Sequence, residues 1–337
     1  MRRLPVYILI DSSESMAGEP IEAVQNGLAT MLQQLRRDPH ALESVWLCVI
    51  TFDSCAKMVV PLTELIDFAM PAFSIKPGTA LGAALQLLAE RIKRDVKRTT
   101  HETKGDYRPI VFLLTDGQPT DTWEEAAAAL KNIKPKLANI YAIGCGQDVD
   151  FHVLCEITDI AYHIREVTSD MLAKFFIWMS ASVQSISQGA DSPISLDKSP
   201  FAENGGFDLI DPDNLPIRSD VPLQVFIHCR CTKTRQFYMM RYSFVEEYRV
   251  YQAKSAYKLP EDFFNDGDVS PPAISSDLLY GSVPCPFCGN ITWGQCGMCG
   301  QIFCSPDPMP PKVQCPSCQN TLTSAGEGTF EVKRSSG

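Results

Sequence analysis

The sequence predicts a doubly wound α/β domain with a mostly parallel sheet, followed by a small β-hairpin and a cysteine module of zinc-ribbon type. Three observations predict it. Apolar strand-like runs alternate with amphipathic helical stretches as far as about residue 188. A stretch rich in Asp, Pro, Gly and Ser follows, and seven of the thirteen cysteines then crowd between residues 285 and 318. Alternation of strands and helices implies a parallel sheet covered on both faces, whose strands are apolar throughout rather than alternating.

The elements follow in order. Val6–Ile10 is a continuous apolar run, as a doubly covered strand requires. Pro20–Leu35 reads as a helix, with Ile21, Val24, Leu28, Met31 and Leu35 on one side. Val45–Phe52 is a second buried strand and Ala56–Val60 a short edge-like one. Leu81, Leu85, Leu88 and Ile92 recur at helical spacing through Leu81–Val96. Ile110–Leu114 is a further strand, Glu124–Leu130 starts a helix, Ile140–Gly144 is a strand and Met171–Ile186 a closing helix. Residues 189–220 read as a linker. Val221–Cys231 and Phe237–Tyr248 then form two strands around the polar turn Thr232–Gln236, with a loop-rich stretch at Leu259–Pro284 before the cysteines. The expected organisation is a first domain at 5–188, the linker, and a cysteine-rich domain at 221–330.

Composition narrows the function classes. A chain of 337 residues with 45% hydrophobic content can bury a sizeable core. Its formal net charge of −10 argues against a general nucleic-acid binder. The run Val6–Ile10 is too short for a signal sequence and ends on Asp11, and no stretch reaches the length of a membrane span. The expected location is the cytoplasm. There, clustered cysteines point to metal rather than disulfides, whereas Cys48, Cys55, Cys145 and Cys155 read as small buried hydrophobes.

The first strand runs straight into Asp11-Ser12-Ser13-Glu14-Ser15. Ligands of a parallel α/β sheet bind at the carboxyl edge of its strands, so Asp11, Ser13 and Ser15 sit on one loop at that edge. The strand at Ile110–Leu114 ends in Thr115-Asp116-Gly117 and brings a second carboxylate there. Thr79, just before a helix, offers a hydroxyl to the same crevice. Hard oxygen donors without nitrogen or sulfur suit Mg²⁺. Ser15 taken alone reads equally well as a helix cap; the ordered set favours the metal.

Asp11-x-Ser13-x-Ser15, Thr79 and Thr115-Asp116-Gly117 together resemble the metal-ion-dependent adhesion site of von Willebrand A domains, over about residues 5–188. The resemblance implies a Rossmann-like fold in which the serines bind Mg²⁺ or Mn²⁺ directly, the threonine binds directly or through water, and the aspartates act mainly through waters. The ion then keeps enough charge to accept a carboxylate from a protein partner.

Cys285-Pro-Phe-Cys288 and Cys315-Pro-Ser-Cys318 are Cys-x₂-Cys knuckles whose four thiolates would complete one tetrahedral Zn²⁺ site. Cys296, Cys299 and Cys304 are one ligand short of a second. Cys231 is the first candidate for that ligand and Cys229 the second, since alternation puts both on one strand face. Spacing leaves open a cross-brace between successive pairs. A closed site of four sulfurs is structural rather than catalytic.

A von Willebrand A domain followed by this cysteine module resembles the bacterial tellurite-resistance TerY family. The resemblance implies an accompanying serine/threonine kinase and a metal-dependent phosphatase. The protein would then be a non-catalytic scaffold or substrate of that phosphorylation system, in a stress or tellurium-resistance response. The alternatives are weaker. An aspartyl phosphohydrolase needs a second acid where this chain has Ser13. No Walker A loop or Gly-x-Ser-x-Gly elbow occurs, and the histidines His40, His101, His152, His163 and His228 are dispersed. A zinc-ribbon nucleic-acid adaptor would be poorly served by Gly281–Phe330, whose one basic residue is Lys312.

Overall fold

A computed structural model describes residues 2–116, 118–132, 136–146, 149–165, 167–187, 207–215, 221–260, 263, 273–323 and 328–334. Gly117 of the motif and most of the expected linker lie outside them. The chain forms two compact units, the first made by residues 1–74 and 78–218, the second by residues 75–77 and 219–337.

In the first unit the strands are β1 (Leu4–Asp11), β2 (Val45–Phe52), β3 (Ala56–Glu64), β4 (Ile110–Thr115), β5 (Asn139–Cys145), β6 (Ala161–Ile164) and β7 (Phe207–Leu209). They lie in the order β3-β2-β1-β4-β5-β6-β7. The five inner strands are parallel, and β3 and β7 close the two edges antiparallel. The α-helices among the described residues are α1 (Glu19–Arg37), α2 (Pro39–Ser44), α3 (Leu81–Asp95), α4 (Glu124–Asn132), α5 (Phe151–Ile157) and α6 (Ser169–Ser187). Tyr7, Leu9, Ile50, Val111, Leu113 and Ala142 on one sheet face pack against Leu85 and Leu88 of α3, Leu130 of α4 and Leu154 of α5. On the other face Phe112 and Tyr141 stack at 5.5 Å and meet Trp178 of α6 edge-on. All eight residues of β1 and all six of β4 are buried, so the unbroken apolar runs are explained by cover on both faces. Phe207–Leu209 falls inside the stretch expected to be a linker. It pairs with Ala161–Ile164 instead, because the outer edge of β6 otherwise leaves its backbone groups unpaired.

This order contains one topological reversal. The chain leaves β1 toward β2 and β3, then crosses back through α3 to β4 on the other side. The crevice of such a sheet opens at the carboxyl ends of the strands flanking the reversal. Asp11 ends β1 and Asp116 directly follows β4.

The second unit is β-rich. Its main sheet has the order β12-β10-β9-β8-β14-β13, built from β8 (Gln224–Arg230), β9 (Phe237–Val245), β10 (Val250–Lys258), β12 (Leu279–Tyr280), β13 (Thr292–Gln295) and β14 (Ile302–Ser305). The expected hairpin is β8–β9, and β10 extends it by a third antiparallel strand. Two further pairs are small: β11 (Ile274–Ser275) with β17 (Glu331–Val332), and β15 (Lys312–Gln314) with β16 (Thr321–Thr323). Val225, Ile227, Tyr238, Met240, Tyr242 and Tyr251 form the core together with Cys229, Cys231, Cys285 and Cys304.

Candidate metal sites

At the carboxyl edge of the first sheet the oxygen cluster is laced together by short hydrogen bonds. The Ser13 amide donates to Asp11 Oδ1 at 2.9 Å and the Thr115 hydroxyl to Asp11 Oδ2 at 2.5 Å. Ser13 and Ser15 hydroxyls lie 2.8 Å apart, and Ser15 donates to Asp116 Oδ1 at 2.5 Å. Asp11, Ser13 and Ser15 on the first loop, and Asp116 on the fourth strand's loop, are thus joined as a continuous set. Thr79 sits on the loop before α3, and the carbonyl of Asp53, at the end of β2, accepts from the next residue, Ala80, at 2.7 Å.

Two features mark the cluster as a place for a cation. Thr79 is fully buried, yet its hydroxyl oxygen has no hydrogen-bond partner. A buried polar atom left unsatisfied is costly and calls for a water or ion. Burial also pushes the Asp11 carboxyl up to about 6. The hydrogen bonds from Ser13 and Thr115 oppose that rise, and the charge of Asp53 adds to it. A carboxylate so desolvated is relieved by a positive charge. The donor set is oxygen only, which fits a hard divalent cation. Asp53 is buried and was not anticipated as part of this edge; it lies outside any motif and follows a strand end like Asp11.

The cysteines form two quartets whose sulfurs all lie within 4.8 Å of one another: Cys231, Cys285, Cys288 and Cys304, and Cys296, Cys299, Cys315 and Cys318. This corrects the expected grouping, which put Cys285, Cys288, Cys315 and Cys318 together and Cys231 with Cys296, Cys299 and Cys304. Register is the reason. Strand β14 runs parallel to β8 with Ile302 beside Cys229, so Cys304 and Cys231, each two residues further on, meet at the same end. The turn between β13 and β14 carries Cys296 and Cys299 away from that end, toward the knuckle of the β15–β16 hairpin. The quartets are therefore cross-braced, and Cys231 rather than Cys229 belongs to one.

Sulfur separations of 3.5 Å for Cys288–Cys304 and 3.7 Å for both Cys296–Cys318 and Cys299–Cys315 match a zinc tetrahedron. Arms of about 2.3 Å space its corners by about 3.8 Å, whereas a disulfide needs about 2 Å. All thirteen cysteines are free thiols.

Four turns repeat one backbone pattern around these sulfurs. In the turns starting at Cys231, Cys285, Cys296 and Cys315, the cysteine N–H donates to the carbonyl five residues on, and the residue four on donates back to the cysteine carbonyl. That fourth residue takes positive φ: Arg235 at 60°, Gly289 at 76°, Gly300 at 75° and Gln319 at 63°. The second cysteine of each knuckle is Cys288, Cys299 or Cys318, but the first turn has Thr234 there, and Cys304 takes its place. The Cys304 sulfur in turn accepts from the Thr232 amide at 3.4 Å and from the Asn290 side chain at 3.6 Å.

Comparison with known proteins agrees with this division. The von Willebrand factor type A domain family matches residues 6–176, and the TerY-C metal binding domain matches residues 222–337. An uncharacterized protein of Synechocystis, sll0103, is 32% identical over 125 residues, covering 35% of this chain and 26% of its own length. Chicken matrilin-3 is 28% identical over 152 residues, covering 43% of this chain and 32% of its own. The chain thus spans about a third or less of these relatives. Solved structures with a similar fold include the ArnB paralog VWA2 from Sulfolobus acidocaldarius, at 19% identity and a TM-score of 0.41, covering 52% of this chain and 45% of that one. Proximal thread matrix protein 1 from the mussel byssus, solved with a zinc-occupied MIDAS motif, is 18% identical with a TM-score of 0.39, covering 54% and 48%. The family match over residues 6–176, followed by the one over residues 222–337, settles the affiliation: this chain is a member of the von Willebrand factor type A domain family that carries a C-terminal TerY-C metal binding domain.

Proposed function

We propose that the protein is a non-catalytic recognition scaffold whose first unit binds a partner through Mg²⁺ or Mn²⁺. Asp11, Ser13, Ser15, Thr79 and Asp116 hold the ion, and the partner supplies an Asp or Glu carboxylate to an open position. The observation that carries this reading is the buried, unpartnered Thr79 hydroxyl on the same sheet edge as the Asp11–Ser13–Ser15–Asp116 network. Binding is favoured over phosphoryl chemistry because the second acid that an aspartyl phosphohydrolase needs two positions after its nucleophile is absent: that position is Ser13.

In the second unit each cysteine quartet holds one structural Zn²⁺, as four-thiolate sites do. No helix among the described residues is long and apolar enough to cross a membrane. The family resemblance extends the reading to a serine/threonine kinase and a metal-dependent phosphatase as partners, in a stress or tellurium-resistance system. The test is a pull-down from native lysate with Mg²⁺ present or stripped, using wild type and Asp11→Ala. The expected partner is retained only by wild type with Mg²⁺. A partner held equally by Asp11→Ala in metal-free buffer overturns the site's role.

A further inference from the structure

The loop after β4 carries more than Asp116. Four residues on, Thr120 grips the Thr79 backbone from both sides. The Thr79 amide donates to Thr120 Oγ1 at 2.9 Å, and the Thr120 amide donates to the Thr79 carbonyl at 2.9 Å. The neighbouring Asp121 carboxylate accepts from the Gly82 and Ala83 amides, each at 2.9 Å.

Those amides belong to the first turn of α3, a helix that lacks a cap of its own. Its N-cap residue is Ala80, which has no side-chain acceptor, and its first turn contains no acidic residue. Asp121 therefore supplies from another loop both the missing acceptor and the negative charge that a helix N-terminus favours. The contact is also sterically fitted. A Cβ on Gly82 would stand 2.2 Å from the Thr122 carbonyl oxygen, so only glycine lets the helix approach this loop.

We propose that Thr120 and Asp121 are positioning residues for the oxygen site: they lock the Thr79 loop and the start of α3 to the Asp116 loop, so that the Thr79 hydroxyl and Asp116 are presented as one rigid pair. This deepens, and rests on, the reading of the sheet edge as a cation site. The Thr79 hydroxyl makes no hydrogen bond that would hold it in place, so its orientation depends on how its backbone is fixed. The backbone is fixed by Thr120 on one side and by the capped helix on the other. Ligand-orienting partners of this kind are worth about tenfold to a hundredfold in metal affinity. Thr120 is exposed and Asp121 half-buried, so the effect belongs at the lower end.

The test is Mn²⁺ titration of the full zinc-loaded chain by electron paramagnetic resonance, at a temperature where circular dichroism shows every variant folded. Thr120→Val combined with Asp121→Ala removes both acceptors and is expected to weaken Mn²⁺ binding about tenfold. Thr120→Ser combined with Asp121→Asn restores the acceptor for the Thr79 amide and one of the two acceptors at the start of α3, and is expected to recover part of the loss. A merely structural role would lower stability without this split in affinity. Hydrogen exchange of the Thr79, Gly82 and Ala83 amides in metal-free protein should rise in the first double variant, whereas the Thr79 amide stays protected in the second. If wild type binds Mn²⁺ and the Val/Ala variant binds it equally, the positioning role is wrong and the cation site stands. If wild type takes up no Mn²⁺, the cation site itself is wrong and the positioning role goes with it.

Discussion

The oxygen cluster at the sheet edge and the thiol quartets of the second unit differ in what holds them together. Asp11, Ser13, Ser15 and Asp116 stand on strands whose residues are buried on both faces, and hydrogen bonds of 2.5–2.9 Å join them without any ion. The sheet beneath them, with α3, α4 and α5 on one face, would persist if the cation left. The second quartet has little beneath it. Cys296 and Cys315 share a cluster only with Phe303, Val313 and Leu322, and Cys299 and Cys318 are exposed. A cation at the first site would be held by the fold, whereas an ion at the second quartet would hold the fold around it.

Removing zinc should therefore produce the largest effect. Structural zinc contributes about 10–16 kcal/mol per site at neutral pH in small metal-folded domains, more than the region around the second quartet can draw from its sparse apolar contacts. A thiophilic chelator is expected to make residues 285–323 sensitive to protease while residues 4–187 stay resistant. Limited proteolysis read by mass spectrometry checks this. If the cysteine region remains protected after zinc loss, the quartets are not what maintains it.

A smaller effect separates the two quartets from each other. Cys304 is buried on β14, in the core shared with Tyr238, Met240 and Tyr242, and its strand pairs with β8. Cys318 lies exposed in the turn of the short β15–β16 hairpin. Cys304→Ser and Cys318→Ser should each lower zinc content from about two ions to about one. Amide exchange should spread through β8, β13 and β14 in the first variant and stay within residues 296–301 and 312–323 in the second. Equal spread in both would mean that the module unfolds as one block and that the peripheral quartet is not separable.

The same contrast governs what the sequence made legible. Asp11, Ser13, Ser15, Thr79 and Asp116 were legible as candidates because each follows a strand or precedes a helix, and the helix–strand alternation fixes which edge they share. The cysteine ligands could be found by type but not by partner. Their grouping depends on β14 lying against β8, a pairing between residues 302 and 229 that no local spacing encodes. Strand β10 escaped notice because a bulge between Ala253 and Ser255 breaks its alternation. Thr120 and Asp121 went unread, because their contacts with Thr79, Gly82 and Ala83 span about forty residues. Phe207–Leu209 was hidden in a segment whose composition reads as a joining stretch.

The smallest effect expected is a pH dependence confined to the oxygen site. Burial lifts the Asp11 carboxyl from 3.8 to about 6. A group whose folded pKa is raised stabilises the fold fully below its unfolded pKa, and that stability is lost as pH rises through the folded value. In metal-free protein the contribution is thus present below about pH 4 and gone above about pH 6. At about 1.4 kcal/mol for each tenfold change in proton affinity it amounts to at most roughly 3 kcal/mol. Mg²⁺ bound at the proposed site would supply at neutral pH the positive charge that the proton supplies in acid, so the two would compete for the same carboxylate. Added Mg²⁺ should therefore raise the Tm of the first unit by several degrees at pH 7.5 and by much less at pH 5. Thermal scans with and without Mg²⁺ at both pH values, followed through residues 4–187 by exchange or by a tryptophan signal from Trp178, measure the difference. An Mg²⁺ shift of equal size at pH 5 and pH 7.5 would mean that Asp11 is not the carboxylate the ion relieves, and Asp116 or Asp53 would then have to carry that role.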